Sequence, residues 1–318
     1  MVKNRALGDA IIGLSSITYL VGALANPKVT YLVPRWIFPL FHSVRTDVSD
    51  FLPLKLDLVA DFFRLFFQLF SKKYDLIIEL HQRGTTGKFF KLYSFLTRTP
   101  YLFHNHNETE RAPAIARDLQ ICFEAVKKYI PDATLPDHKK FEPRMQALGE
   151  ISLKKKIIFG IVATRKTKMW PLKYYKFLAD MILKKNPDYE IIIPLSNSEM
   201  DQKLESEFMN LNPHPNVKFL KLGLEKLPKE LSGAKYYIGN DTGLKHLCVS
   251  LGIKTFTFFG PEEPFEWHPY NLEKHKFFFQ ENLPCRTRVS HFCGLATCES
   301  IICLNQFVPP QVFSQLEL

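Results

Sequence analysis

Three short stretches of the sequence place polar residues where chemistry can occur. LGDAI at 7–11 puts Asp9 in the first turn of a predicted helix, where a carboxylate can accept a proton from a hydroxyl group. TRKTKMWP at 164–171 follows a predicted strand and gathers cations suited to phosphate. GNDTGLKH at 239–246 starts another helix after a strand, where free N–H groups and the helix dipole favour an anion.

Each stretch also has a structural explanation. Asp9 and Asp241 are ordinary helix N-cap residues, and the basic loop is equally well a solvated surface loop. Asp241-Thr242-Gly243 resembles the motif of an aspartic protease, but that enzyme needs a second copy, which the sequence lacks. A helical pattern also follows Gly243, so the protease is excluded.

The elements that position these stretches alternate between strand and helix along the whole chain, which predicts an α/β fold with two doubly wound domains. We place the domains at 1–150 and 151–318, joined by a Pro- and Lys-rich segment at 131–156, and leave open that the last helix packs on the first domain. The predicted strands are 28–34, 74–80, 100–105, 156–163, 189–195, 217–220, 236–239 and 255–259. The predicted helices are 9–25, 57–73, 85–97, 109–130, 171–186, 198–211, 226–232 and the segment ending at Gly252.

The composition indicates a folded globular protein with an anionic partner. The chain has 318 residues, 46% hydrophobic and 23% charged, with a net charge of +10. Residues 62–98 hold seven cations against two carboxylates. No nucleic-acid-binding motif accompanies them, which disfavours a nucleic acid. The helix with DFFRLFFQLFSKK, residues 61–73, suits either core packing or a membrane-facing surface.

The first 26 residues also resemble a secretory signal, with basic residues, an apolar run and Ala23-Leu24-Ala25. That alternative predicts cleavage near residue 26, which would remove Asp9. Asp9 and Ser15-Ser16 interrupt the apolar run, and its helical spacing favours a packed helix instead.

Taken together and in order, these stretches resemble the bacterial heptosyltransferase family, glycosyltransferase family nine, of the GT-B fold class. The resembling residues are LGDAI at 7–11, YDLIIEL at 74–80, TRKTKMWP at 164–171, GAKYYIGNDTGLKHLCVSLG at 233–252, FFGPEEP at 258–264 and CLNQFVPPQV at 303–312. The resemblance implies two Rossmann-like domains facing a cleft, an N-terminal one for the acceptor and a C-terminal one for the nucleotide sugar.

The resemblance also implies a reaction and its residues. The reaction is inverting transfer of heptose from ADP-heptose to a lipopolysaccharide core acceptor, with no metal or other cofactor. Asp9 matches the catalytic base and Lys168 matches the lysine that neutralises the leaving diphosphate. The other matching positions are Asp241 for the sugar hydroxyls, Thr164, Arg165, Thr242, Gly243 and His246 for the donor, and Arg83 for the acceptor. Lys245 departs from the family, which usually has a small or apolar residue there.

Such an enzyme is expected to be cytoplasmic and peripheral at the inner face of the inner membrane. Two alternatives stay open: a transferase of the same fold that uses another nucleotide sugar for a surface glycan, and a non-catalytic protein that binds a nucleotide sugar or glycolipid. Cys122 and Cys248 are expected in the core. A further group of cysteines is a weak metal candidate because its gaps lack short Cys-x-x-Cys pairs; its members are Cys285, Cys293, Cys298 and Cys303.

Overall fold

The computed structural model describes residues 1–82, 84–105, 111–152, 155–285 and 298–318. Within these residues the chain forms two compact units, Met1–Gln146 and Ala147–Leu318. The division falls inside the segment 131–156 that the sequence marks as a linker.

The first unit alternates strands with helices. Its strands are β1 (Thr30–Pro34), β2 (Val44–Arg45), β3 (Asp50–Leu54), β4 (Ile77–Glu79) and β5 (Tyr101–Phe103), and its helices are α1 (Leu7–Ala23), α2 (Val59–Lys72), α3 (Gly84–Thr97) and α4 (Ala114–Lys127). Side chains of β1 alternate between the two faces of the sheet. The Tyr31 hydroxyl donates to the carbonyl of Ala10 in α1 at 2.9 Å, whereas Leu32 packs in a cluster with α2 and α3. Helices therefore cover both faces.

The residues before α1 act as a short central strand of this unit. Val2 forms parallel bridges to Leu32 and to Glu79, and its N–H donates to the carbonyl of Ile78 at 2.8 Å. These bridges join the parallel pairs β1–β3 and β4–β5. As α1 follows directly, Asp9 lies near the carboxyl end of the central strand, where ligands of such sheets bind.

The second unit is built on one parallel sheet of six strands. Its strands are β7 (Lys156–Gly160), β8 (Glu190–Leu195), β9 (Val217–Lys221), β10 (Tyr236–Asn240), β11 (Lys254–Phe259) and β12 (His275–Phe279); β6 (Gln146–Ala147) precedes them at the boundary between the units. Its helices are α5 (Leu172–Lys185), α6 (Glu199–Met209), α7 (Leu227–Leu231), α8 (Gly243–Ser250), α9 (Pro264–Trp267), α10 (Ile302–Asn305) and α11 (Pro309–Phe313). The spatial order β12-β11-β10-β7-β8-β9 reverses direction between β7 and β10.

Four strands were not predicted: the two-residue strands β2 and β6, and the edge strands β3 and β12. β3 has the sequence DFLPL, and Pro53 argues against a strand because proline cannot donate to a neighbour. The structure resolves this conflict because β3 pairs with β1 on one side and lies at the edge of the layer. β12 likewise lies at an edge, beside β11. A strand with one neighbouring strand has a weaker hydrophobic pattern in the sequence than a strand inside a sheet.

Cys122 and Cys248 are fully buried, which confirms the expectation that they are core residues. The sequence left open a return of the last helix to the first domain; the contacts of α11 with α5 lie in the second unit. Of the helices in the described ranges, none has both the length and the apolarity needed to cross a bilayer.

Candidate functional site

The neighbouring strands β7 and β10 end side by side at the point where the sheet order reverses. Gly160 pairs with Gly239 there, and a Cβ on Gly239 would lie 2.7 Å from the Cα of Gly160, so only glycine permits this approach. Ligands of such sheets usually bind at this point, beside the loops that follow the two strands.

Asn240, at the end of β10, fixes the loop that carries the predicted cations. Its side-chain amide donates to the carbonyl of Ile161 at 2.8 Å, and its side-chain oxygen accepts from the N–H of Trp170 at 2.9 Å. One buried side chain thus holds both ends of the loop 161–170 against the strand that leads into Asp241. Asn240 is not among the site residues predicted from the sequence.

Asp241 lies between two lysines. The Nζ of Lys168 is 3.4 Å from its Oδ2, and the Nζ of Lys245 is 2.5 Å from its Oδ1. Glu262, in the loop after β11, accepts from both Lys168 and Arg165. The five side chains form one cluster with three cations and two carboxylates, so the structure brings together Arg165, Lys168 and Asp241 from the sequence-predicted set.

The electrostatics of this cluster keep its central groups charged. Burial alone would raise the pKa of Asp241, but the Lys245 and Lys168 ammonium groups outweigh burial and hold it well below its usual range. Burial lowers the pKa of Lys168, but the carboxylates of Asp241 and Glu262 outweigh that effect and raise it. Lys168 is therefore cationic near neutral pH, and its side chain is 13% exposed, so it can still meet a ligand.

Lys245 is a buried structural lysine. Its side chain is 0% exposed, its Nζ also donates to the carbonyl of Trp267 at 2.7 Å, and it lies 4.9 Å from the centre of the Phe259 ring. Side chains on a helix lean toward its N-terminus and meet partners four residues away, which turns Lys245 back toward Asp241. Lys245, the residue that departs from the family pattern, therefore supplies the second cation that pairs with Asp241.

The other predicted donor residues occupy different surroundings. Thr242 and Gly243 form the start of α8, and the Thr242 side chain makes no capping hydrogen bond to the N–H groups of the first turn. His246 is 4% exposed and its Nδ1 is hydrogen-bonded to the Tyr270 hydroxyl. Burial and the neighbouring Lys245 lower the pKa of His246 well below its usual value, so it is neutral. Thr164 is exposed in the loop after β7.

In the first unit, Asp9 occupies the first turn of α1 and its side chain is 14% exposed. Its nearest ion-pair partner is Arg5, with the Nε 3.9 Å from the carboxylate, a distance too long for a hydrogen bond. Its carboxylate thus has no short ion pair in the residues that the structure describes. Arg83, the predicted acceptor residue, lies outside those residues.

Three of the four cysteines in this group lie within the described residues. They are Cys285, Cys298 and Cys303, whereas Cys293 lies outside the described residues. Across the described ranges, no three or more His, Cys, Asp or Glu side chains are placed to hold a metal ion. The metal interpretation of this group stays a sequence prediction.

Sequence comparison identifies relatives of this chain. The sequence profile of glycosyltransferase family 9 (heptosyltransferase) matches residues 62–295. Lipopolysaccharide heptosyltransferase 1 of Pseudomonas aeruginosa PAO1 is 25% identical over 175 residues, 51% of this chain and 47% of that protein. The Escherichia coli K12 protein of the same name is 28% identical over 110 residues, 34% of this chain and 32% of that protein. The chain thus matches between about a third and a half of the length of these curated relatives.

Solved structures show the same fold over more of the chain. The structure of E. coli ADP-heptose lipopolysaccharide heptosyltransferase II covers 99% of this chain and 96% of its own, with a TM-score of 0.73 and 16% identity. E. coli heptosyltransferase WaaC with ADP-2-deoxy-2-fluoro heptose covers 99% and 98%, with a TM-score of 0.69 and 16% identity. These likenesses confirm the predicted α/β fold of the GT-B heptosyltransferases. With a family profile that spans most of its length, the chain belongs to glycosyltransferase family 9, the heptosyltransferase family.

Proposed function

We propose that this chain is an inverting glycosyltransferase that transfers heptose from ADP-heptose to a lipopolysaccharide core acceptor. The observation that carries the proposal is the cluster of Lys168, Arg165 and Asp241 beside the N-terminus of α8, in a chain of the heptosyltransferase family. A diphosphate leaving group gains negative charge as its bond to the sugar breaks. Fixed cations and helix N–H groups at that position stabilise the transition state more than the bound donor.

The proposed reaction balances with groups of this chain. The acceptor hydroxyl attacks the anomeric carbon of heptose, the bond from that carbon to the β-phosphate oxygen breaks, and its electron pair leaves on ADP. Asp9 takes the proton of the attacking hydroxyl. Lys168 meets the charge that develops on ADP. Thr164, Thr242, Gly243 and His246 are proposed to complete the donor site, and Arg83 the acceptor site.

In this proposal the first unit binds the acceptor and the second unit binds the nucleotide sugar. The acceptor is a glycolipid, so the enzyme works as a peripheral protein at the cytoplasmic face of the inner membrane. The basic segment 62–98 in the first unit suits such a surface, because anionic lipids attract cations near the bilayer.

A second candidate is a transferase of the same fold with another nucleotide sugar. The position of Lys245 favours this candidate. Its ammonium group pairs with one oxygen of the Asp241 carboxylate, which the family resemblance assigns to the sugar hydroxyls. With that oxygen engaged, Asp241 offers fewer free positions to a sugar, and a different sugar ring would suit the site.

Release of the nucleoside diphosphate tests both candidates. Wild-type protein is incubated with ADP-heptose and truncated lipopolysaccharide cores, with UDP- and GDP-sugars in parallel reactions. Acceptor-dependent release of ADP supports the first proposal. Acceptor-dependent release of UDP or GDP instead would establish the second candidate. Binding of ADP without turnover of any donor would contradict both and indicate a non-catalytic binding protein.

We predict that Glu262→Gln strengthens ADP binding. Glu262 pairs with Lys168 and Arg165 and therefore competes with a diphosphate for the same cations. A hydrogen bond to a charged group contributes about 1.5–3 kcal/mol, so removing the competing charge is expected to tighten ADP binding about tenfold, or about 1.4 kcal/mol. Isothermal titration calorimetry measures the affinity.

The matched control for this prediction is Glu263→Gln, which removes the same charge from the exposed neighbouring position. It is expected to leave the affinity for ADP within about twofold of wild type. Weaker ADP binding by Glu262→Gln would contradict the prediction and assign Glu262 to holding the cations in their binding positions.

A further inference from the structure

The helices α2 and α3 expose a row of large apolar side chains. On α2, Val59, Phe63, Phe67 and Phe70 recur with helical spacing and lie opposite the buried Leu65. Phe67 is 64% exposed, although a phenylalanine in a globular protein is ordinarily buried. The helix is thus apolar on both its inner and its outer side, so core packing alone does not explain the sequence of α2.

The outer side of α3 continues this surface. Leu92, Phe95 and Leu96 are exposed, and Phe95 is 80% exposed. The two helices pack against each other through Phe62 on Phe89, with ring centres 4.8 Å apart, and through Phe66 on Tyr93, with ring centres 5.3 Å apart. Their solvent-facing sides therefore lie next to each other over the same sheet. We call this surface the α2–α3 face; its apolar residues are Phe63, Phe67, Phe70, Leu92, Phe95 and Leu96.

The charges on the α2–α3 face have one sign. Lys88 and Lys91 precede Leu92 and Phe95 with the spacing of a single helix face, and all four are exposed. Both helices are described over their full length, and their single carboxylate, Asp61, is buried. The exposed surface of α2 and α3 thus combines large apolar side chains with cations and carries no exposed carboxylate.

We propose that the α2–α3 face docks on an anionic lipid bilayer, with the aromatic side chains entering the headgroup region and the lysines contacting lipid phosphates. Exposed aromatic residues flanked by cations match the chemistry of such a surface, because burial of the rings and attraction to anionic headgroups act together. A protein partner would be expected to present carboxylates and a shaped pocket to this face. The inference rests on the proposed function in one respect, because the proposed glycolipid acceptor lies at the surface of the same bilayer.

Vesicle co-sedimentation tests the inference with the full chain and without donor or acceptor. Vesicles of phosphatidylcholine alone are compared with vesicles that also contain phosphatidylglycerol. We expect binding to the anionic vesicles, weakened by salt. The double variant Phe67→Ser with Phe95→Ser is expected to bind at least about tenfold more weakly, because both rings lose their insertion into the bilayer. Lys88→Gln is expected to weaken binding about fivefold and only on anionic vesicles.

The matched control is Phe177→Ser, because Phe177 is 50% exposed on α5 in the second unit and lies outside the α2–α3 face. It is expected to bind vesicles as wild type does. Equal binding by all variants would overturn the inference. A change in solution mass of the double variant from an oligomer to a monomer, without an effect on vesicles, would also overturn it and assign the face to contacts between copies.

The test of vesicle binding and the test of the proposed function can fail independently of each other. Nucleoside diphosphate release with a water-soluble truncated acceptor does not require a bilayer. If this release persists in the double variant while vesicle binding is lost, both proposals stand. Failure of the wild type to bind anionic vesicles overturns the docking surface. Absence of nucleoside diphosphate release with intact vesicle binding overturns the proposed function.

Discussion

Asp9→Asn is expected to lower turnover by about 10²–10⁴-fold while ADP binding stays unchanged. The carboxylate of Asp9 lies in the first turn of α1, partly exposed, with the Arg5 Nε 3.9 Å away. An amide of the same shape cannot accept the proton of the acceptor hydroxyl, so the step that forms the new glycosidic bond loses its base. The rate of ADP release with saturating donor and acceptor measures this loss.

The design separates a missing base from a damaged fold. Asp57→Asn is the matched control, because Asp57 is an exposed aspartate of the same unit, and it is expected to retain the wild-type rate. Calorimetry with ADP and thermal unfolding of both variants check that the donor site and the fold are intact. A full rate in Asp9→Asn would show that another group takes the proton. Loss of ADP binding together with the rate would assign Asp9 to a positional role.

The order of secondary structure could be predicted because each buried strand and amphipathic helix is marked by local residue spacing. The apolar run of β8, for example, is buried on both sides of a parallel sheet and gives a continuous signal. Edge strands give a weaker signal. β3 contains Pro53 and β12 contains exposed Lys276, and both are strands only because a neighbouring strand is present to pair with them.

The candidate site could be predicted in part. Lys168 and Asp241 each follow a strand, and parallel strands end at the same edge of a sheet, so a sequence pattern can place them together. Glu262 follows the next strand, β11. The local spacing of residues determines neither the turn that carries Glu262 nor the distance between Glu262 and Lys168. The sequence marks Lys245 only as a departure from the family pattern. Its buried position depends on the carbonyl of Trp267 and the ring of Phe259, which belong to later segments of the chain.

The two lysines of the cluster are expected to respond differently to the same substitution. Lys168→Met should lower turnover by about 10²–10³-fold, because the leaving diphosphate loses the cation that meets its developing charge. The fold should be retained, since Lys245 still pairs with Asp241 and Arg165 still pairs with Glu262. We therefore expect the free energy of unfolding of this variant to stay within about 1 kcal/mol of wild type.

Lys245→Met should instead lower the free energy of unfolding by about 3–5 kcal/mol, because it leaves the buried carboxylate of Asp241 without its closest partner. The sign of the pH dependence follows from the pKa of Asp241, which its cations depress below the usual value of about 3.9. Ion pairing then stabilises the fold above pH ~4 and is lost as the pH falls through the depressed pKa. The difference in unfolding free energy between wild type and variant should be largest at pH 7 and shrink toward pH 3.

Urea denaturation of wild type, Lys168→Met and Lys245→Met at several pH values measures these differences, and ADP release at pH 7 measures the rates. The substitutions are matched, since methionine keeps an unbranched stem and removes only the ammonium group. If Lys245→Met is as stable as wild type at pH 7, Lys168 alone holds Asp241 and the cluster does not depend on the buried lysine. If Lys168→Met retains the full rate, the charge on the leaving group is met by Arg165 or by the N-terminus of α8. A loss of ADP release in a Lys245→Met protein that is still folded would instead show that Lys245 meets the charge on the leaving group.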